Sequence, residues 1–316
     1  MKVYPIFLKP VFKQRIWGGT ALRDTFNYEI PSNFTGECWG ISAHPHGQSM
    51  VKNGEYEGLT LSELWKDHRE LFGGQKGDYF PLLTKILDAN DDLSVQVHPD
   101  NEYAQKHEKD ALGKTECWYV IDCKEGAELI YGHTAITKEE FQQRIEHREW
   151  DQLLRKIPIH PGDFFYIPSG TIHALGAGTL VLETQQNSDS TYRVYDYDRR
   201  DDQGSLRELH LKKALDVTNI PHEDSHYQPK VTSLEGITIT TFLENKFFSV
   251  QKWKVSGTSH LKQINDFLLV SVIEGNGEIC IKNESYSFTK GDHFILPFGL
   301  GEFSINGDAE LIVSCK

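Results

Sequence analysis

One twelve-residue frame occurs twice in this chain. Residues 162–173 read GDFFYIPSGTIH and residues 291–302 read GDHFILPFGLGE, so Gly-Asp-x-Phe opens each copy and Pro-x-Gly closes a strand-length apolar run. Gly-Asp and Pro-x-Gly are tight-turn signals, and a strand bounded twice by the same turns predicts two related β units. The copies differ at their last position, which is His173 in the first and Glu302 in the second. One unit keeps an imidazole at the end of the frame and the other has lost it.

The remaining sequence points the same way. Short runs at 93–98, 116–122, 128–131, 163–167 and 179–184 form one set, and 237–243, 247–255, 267–273, 278–281 and 293–296 a second, broken by Gly, Pro, Asn or Asp. Many short strands with frequent turn signals predict an all-β sandwich or barrel. Helical patterning is confined to 60–71, to 137–156, whose TKEE start is a capping-box signature, and to 206–217. The stretch 220–229, with its Pro and His residues, reads as a linker. The expected division is residues 1–225, a barrel with N-terminal strands and a short helical insertion at about 137–157, followed by a second barrel at 226–316.

Composition narrows the function classes. The chain carries 33 basic and 46 acidic residues, a formal net charge of −13, and no basic stripe offsets it, which argues against nucleic-acid partners. A small anionic ligand is still compatible, because a few Lys or Arg side chains make one pocket positive inside an acidic protein. No run approaches the ~20 apolar residues needed to span a bilayer. The opening MKVYPIFLKPVFKQRIWGG has neither the apolar core nor the cleavage site of a secretory signal. Five cysteines, an odd number without a C-x-x-C pair, read as reduced thiols. These features lead to the expectation of a cytoplasmic protein, monomeric or weakly self-associating, with no membrane partner.

Four segments carry residues fit for chemistry. In LSVQVHPD (93–100), strand alternation puts Ser94, Gln96 and His98 on one face; an exposed polar face on an edge strand gives the same pattern. In GKTECWYVID (113–122), Lys114 and Glu116 share a face with Trp118. Burying both charges is costly unless they are paired or bind a cation, and a strand that starts at the surface leaves them in water. His173 ends the repeated frame. In NSDSTYRVYDYDR (187–199), Tyr192, Val194, Asp196 and Asp198 are expected on one strand face, with Arg193, Tyr195 and Tyr197 on the other. Arg193 or Arg199 suits bidentate phosphate binding or charge stabilisation, and ordinary Arg–Asp ion pairs suit the same residues. Brought together, Gln96, His98, Glu116 and His173 would supply four O and N donors, a set compatible with zinc and also with Mn, Fe or Co. His44 and His46 in SAHPHG look like a ligand pair, but the Pro-Gly setting reads as a turn.

The frame G-x5-P-x-G-x2-H resembles the second signature of the cupin superfamily, with Ala177 where that signature usually carries Asn. The first signature normally has H-x-H, and here Gln96-x-His98 stands in its place. That exchange, with K-x-E in GKTECW, PSGTIHAL, YRVYDYDR, RIWGGTALRD and GECWGISAHPHG, is similar to type I mannose-6-phosphate isomerases from about residue 9 to 199. The resemblance implies two cupin-type jelly-roll barrels, the second without metal ligands. It implies one zinc ion per chain held by Gln96, His98, Glu116 and His173, with Arg193 as the active-site arginine and Lys114 as the pocket lysine. The implied reaction interconverts mannose 6-phosphate and fructose 6-phosphate, moving a proton between C2 and C1 through a metal-stabilised enediol. Lys114 is then either the proton-transfer base or a plain ammonium for the phosphate. Only 57 residues separate Glu116 from His173, so the large helical domain that long members insert there is absent, as in the short bacterial form. Two other readings share the barrel: an Fe-dependent oxygenase, which would prefer three His and a Glu, and a non-catalytic sugar-binding cupin.

Overall fold

A computed structural model describes residues 3–108, 112–200, 204–263 and 267–316. Strands dominate, as expected, and the two copies of the repeated frame adopt the same local structure. Gly162 and Gly291 open them with φ of 95° and 91°, a left-handed conformation that favours glycine. In each copy the Asp carboxylate accepts a 2.8 Å bond from the backbone N–H three residues earlier, at His160 and at Thr289. The strands that follow are Phe164–Ile167 and His293–Leu296.

The first unit is built from two sheets. One has five strands in the order Leu154–Pro158, Glu128–His133, His173–Leu175, Val95–Val97 and Tyr192–Tyr195. The facing sheet has six, in the order Phe164–Ile167, Glu116–Cys123, Thr179–Gln186, Leu82–Ala89, Thr35–Ile41 and Val11–Gly19. Trp17, Trp118, Val120, Leu129, Tyr131 and Leu175 belong to a buried cluster between them.

The second unit centres on long antiparallel strands, Ser249–Gln263, Leu268–Ile281 and Gly301–Cys315. Ile6–Lys9, counted above with the first unit, pairs with His293–Leu296 in this second sheet, and Met50–Val51 pairs with Ile6–Lys9. A further apolar cluster joins the units: Trp65, Phe72 and Phe80 pack with Phe267, and Phe164 stacks on Phe242 with ring centres 4.7 Å apart.

Three local expectations are corrected. The helix expected over 137–156 is two short helices, Lys138–Glu146 and Trp150–Leu153, followed by a strand. Arg148, at φ 59°, breaks the helix, and Leu154–Pro158 then finds an edge on Glu128–His133. The strand expected to run through Asp198 ends at Tyr195, because Tyr197 and Asp198 both take positive φ and turn the chain. The helix expected over 206–217 is confined to Leu211–Val217.

Candidate metal centre and its cavity

Cross-strand register assembles the site. His173 faces Gln96 on one side of Val95–Val97, and Arg193 faces Gln96 on the other. The opposite sheet contributes Glu116, which pairs with Gln185. The turn at 168–170 ties these pieces together, since the Gly170 N–H donates to the His98 carbonyl at 2.9 Å.

The side chains converge in the interior. His173 Nε2 lies 3.3 Å from Glu116 Oε1, and His98 Nε2 lies 3.5 Å from Oε2. All three residues are buried, and one ligand atom from each lies within 4.8 Å of the others. Gln96 Nε2 is 3.3 Å from His173 Nε2; a half-turn of the amide presents Oε1 instead. The expected ligands therefore meet at one point, and the surface placement that the sequence left open for Lys114 and Glu116 does not occur.

The donors are set up for a divalent cation. His98 Nδ1 donates to the Ser190 carbonyl and His173 Nδ1 to the Thr171 carbonyl, each at 2.8 Å. Those bonds fix the tautomer and leave both Nε2 lone pairs facing Glu116, the role that outer hydrogen bonds play around ligating histidines. Both Glu116 oxygens are buried, with the Lys114 ammonium 2.7 Å from Oε2, and a buried carboxylate is costly unless it is paired or coordinates a cation. Burial pushes His98 well below the usual imidazole range and His173 down to about 4. Both rings are thus neutral, the state in which imidazole binds metal.

Charge around the trio is dense and paired. Lys114 Nζ stands 2.7 Å from Glu116 Oε2 and 3.9 Å from Glu183 Oε1, and Lys85 Nζ is 3.3 Å from that same Glu183 oxygen. Burial and the neighbouring Glu183 charge push Glu116 up to about 7, against the pull of Lys114. Burial also opposes the charge on Glu183, but Lys114, Lys85 and the Trp118 indole N–H hold it at about 2.

Beyond the trio opens a cavity of about 520 Å³, lined by Gln96, Lys114, Trp118, Leu175 and Arg193 among others. Arg193 Nε donates to Ser94 Oγ at 3.3 Å and Nη1 to the Glu208 carbonyl at 2.9 Å. Arg199 is instead paired with Asp196 at 2.6 Å, the ordinary ion pair the sequence allowed. His44 ends one short strand and His46 lies in the turn to the next, and Asp189 joins them with Oδ2 2.6 Å from His46 Nδ1. The His46 backbone N–H donates to His44 Nδ1 at 3.2 Å, and one ligand atom from each of these three residues lies within 4.8 Å of the others at the cavity rim.

Sequence reading missed Lys85 and Glu183. Each interrupts an apolar strand buried along its whole length, LLTKILDA and TLVLETQQ. A charge inside such a buried strand, where charged residues are almost never found unpaired, is the signal that finds them. In the second unit Glu302 is exposed on the strand Gly301–Cys315. The His/Cys/Asp/Glu clusters of metal-binding geometry among the described residues both lie in the first unit.

Comparison with known proteins extends over the whole chain. A family model of the phosphomannose isomerase type I catalytic domain matches residues 6–132, and one of the mannose-6-phosphate isomerase cupin domain matches residues 238–316. The mannose-6-phosphate isomerase ManA of Bacillus subtilis is 60% identical over 314 residues, 99% of each chain. The mannose-6-phosphate isomerase of Streptococcus mutans is 55% identical over 310 residues, 98% of each. A crystal structure of the B. subtilis mannose 6-phosphate isomerase matches with a TM-score of 0.98 at 57% identity, covering 100% of both chains.

Proposed function

The chain belongs to the type I phosphomannose isomerase family and is an enzyme of that family; from that premise we propose that it interconverts mannose 6-phosphate and fructose 6-phosphate with one zinc ion per chain. The observation that carries the reading is the buried trio His98, Glu116 and His173, with Gln96 in register beside it. These four residues would hold the ion, and two imidazoles with a carboxylate are a donor set suited to zinc. When bound, the ion supplies Lewis-acid stabilisation of charge on a substrate oxygen.

The protein's own groups do the rest. Arg193 stays protonated, so its part is to orient the open-chain sugar and to answer negative charge that develops on the oxygens of C1 and C2. Lys114 is the group assigned to hold and exchange the proton between those carbons, with its Nζ among the ligand atoms. Glu183, itself paired with Lys85, helps keep that lysine in place, and Leu87, Leu93, Trp118 and Leu175 give the cavity its apolar walls. In this reading residues 1–225 bear the chemistry, while 226–316 cover the first barrel and its strand edges. No helix among the described residues is long and apolar enough to cross a membrane. The five cysteines form no disulfide, which supports a reducing, cytoplasmic setting.

The test is conversion of mannose 6-phosphate to fructose 6-phosphate by purified protein, before and after chelation and zinc re-addition. Activity lost on chelation and restored by zinc is the expected result. A folded, zinc-loaded sample that converts neither sugar phosphate would sink the reading.

A further inference from the structure

Six cationic side chains line the cavity: Lys13, Arg15, Lys85, Lys114, Arg193 and Arg207. Their partners divide them. Glu37 takes Arg15 at 2.9 and 3.1 Å, Glu183 takes Lys85 at 3.3 Å, Glu116 takes Lys114 at 2.7 Å, and Asp196 takes Arg207 at 2.6 Å. Among the described residues, Lys13 and Arg193 have only neutral hydrogen-bond partners, the His46 carbonyl for one and Ser94 and the Glu208 carbonyl for the other. In a chain of net charge −13, these two uncompensated cations are where the cavity can answer an anion.

They stand at different ends. Arg193 is the register partner of Gln96 and so stands beside the trio. Lys13 lies on the last strand of the opposite sheet, facing Glu37. Its Nζ is 5.1 Å from the centre of the Trp39 ring, and Lys85, buried beside Glu183, stands at the same distance from that ring. The indole thus neighbours both a deep lysine bound to a carboxylate and a half-buried one without any. A sugar phosphate whose C1 and C2 sit at the trio carries its phosphate toward the cavity's outer part, where a dianion loses less hydration than in the interior.

We propose that Lys13 binds the phosphate group of the substrate at the outer end of the cavity, leaving Arg193 to the reacting carbons. This assignment rests on the isomerase reading for the identity of the substrate. An ammonium has three N–H donors; the His46 carbonyl takes one, and the others are available to phosphate oxygens. Asp189, the carboxylate at that rim, lies 2.6 Å from His46 Nδ1.

Inorganic phosphate is the probe, titrated calorimetrically and as an inhibitor of the zinc-loaded enzyme, with Lys13→Met against the native protein. Lys13→Met is expected to weaken phosphate binding by about 10- to 100-fold, the worth of a charge-assisted hydrogen bond. KM for mannose 6-phosphate should rise similarly with kcat within a few-fold, the signature of lost uniform binding. Lys9→Met, on the neighbouring strand and outside the cavity, should change neither. Phosphate binding unchanged in Lys13→Met, or weakened equally in Lys9→Met, would overturn the proposal. Calorimetry does not require turnover, so Lys13-dependent phosphate binding in a protein that isomerises nothing would keep the anion site and remove the isomerase reading.

Discussion

Lys114 Nζ lies 2.7 Å from Glu116 Oε2 and 3.2 Å from His98 Nε2, so one ammonium addresses two of the atoms that a divalent cation would take. Burial works against the charge on Lys114, but Glu116 and Glu183 outweigh it and its pKa moves up. A cation bound by Glu116 and His98 competes for those lone pairs and weakens the hold on the lysine's proton. Lys114→Met is therefore expected to lower kcat at saturating mannose 6-phosphate by about 100-fold or more, the usual range for a lost acid–base group. It also leaves two buried carboxylates short of a cation, so the metal-free protein should lose about 3–5 kcal/mol in a denaturant melt. Near-normal turnover would remove Lys114 from proton transfer.

Metal removal should register in stability as well as activity. An ion that binds only the folded protein stabilises it by about 3–4 kcal/mol at 100 to 1,000 times its Kd, so chelation should lower Tm and zinc should restore it. Glu116→Gln keeps the shape of the side chain but loses the ionised donor between His98 and His173. The Tm difference between loaded and chelated protein should largely vanish in that variant. If Glu116→Gln retained the full difference, the ion would have to bind elsewhere.

What was legible in the sequence follows from the range of the physics involved. The repeated turn frame is local, set by Gly162, Gly291 and their Asp neighbours, and the structure reproduces it twice. The alternation that put Ser94, Gln96 and His98 on one face is local too, and all three do point to the site. What stayed hidden depends on partners far along the chain. Glu183 and Lys85 meet only because Thr179–Gln186 and Leu82–Ala89 are register partners. Asp189 reaches His46 across 143 positions of sequence. Helix lengths failed where a single residue decided them: nothing in the 137–156 pattern announces that Arg148 takes a left-handed conformation.

The strand Ile6–Lys9 pairs with His293–Leu296, and Phe242, Phe248 and Phe267 share one apolar cluster with Trp65, Phe72 and Phe80. A fragment ending near Pro229 loses both the strand partner and a third of that cluster. It is expected to aggregate or to melt without a cooperative transition, checked by sedimentation and circular dichroism, because an unpaired edge and an uncovered apolar face promote association. A stable, fully active fragment would show that residues 226–316 contribute nothing to the first barrel.

The same contact between units carries a pH dependence. His293 is fully buried, with Nδ1 2.8 Å from Ser271 Oγ and Nε2 3.0 Å from the Tyr28 hydroxyl and 3.9 Å from Cys38 Sγ. Burial lowers its pKa to about 4; the neighbouring Asp292 works against that shift and Lys52 with it. The backbone leaves it no room to move, since a Cβ on Gly40 would lie 2.3 Å from the imidazole. Unfolded, the ring titrates near its ordinary value of about 6.5. Between those two values the unfolded chain takes up a proton that the native protein refuses, so stability must fall as pH drops from about 6.5 to 4. Above that window the group contributes no pH dependence. His293→Gln cannot take up this proton. The stability difference between native protein and variant, from urea melts, should therefore be constant above about pH 7 and shift against the native protein as pH falls toward 4. A difference that stays flat from pH 7 to 4 would mean that His293 is protonated in the folded state as readily as in the unfolded one.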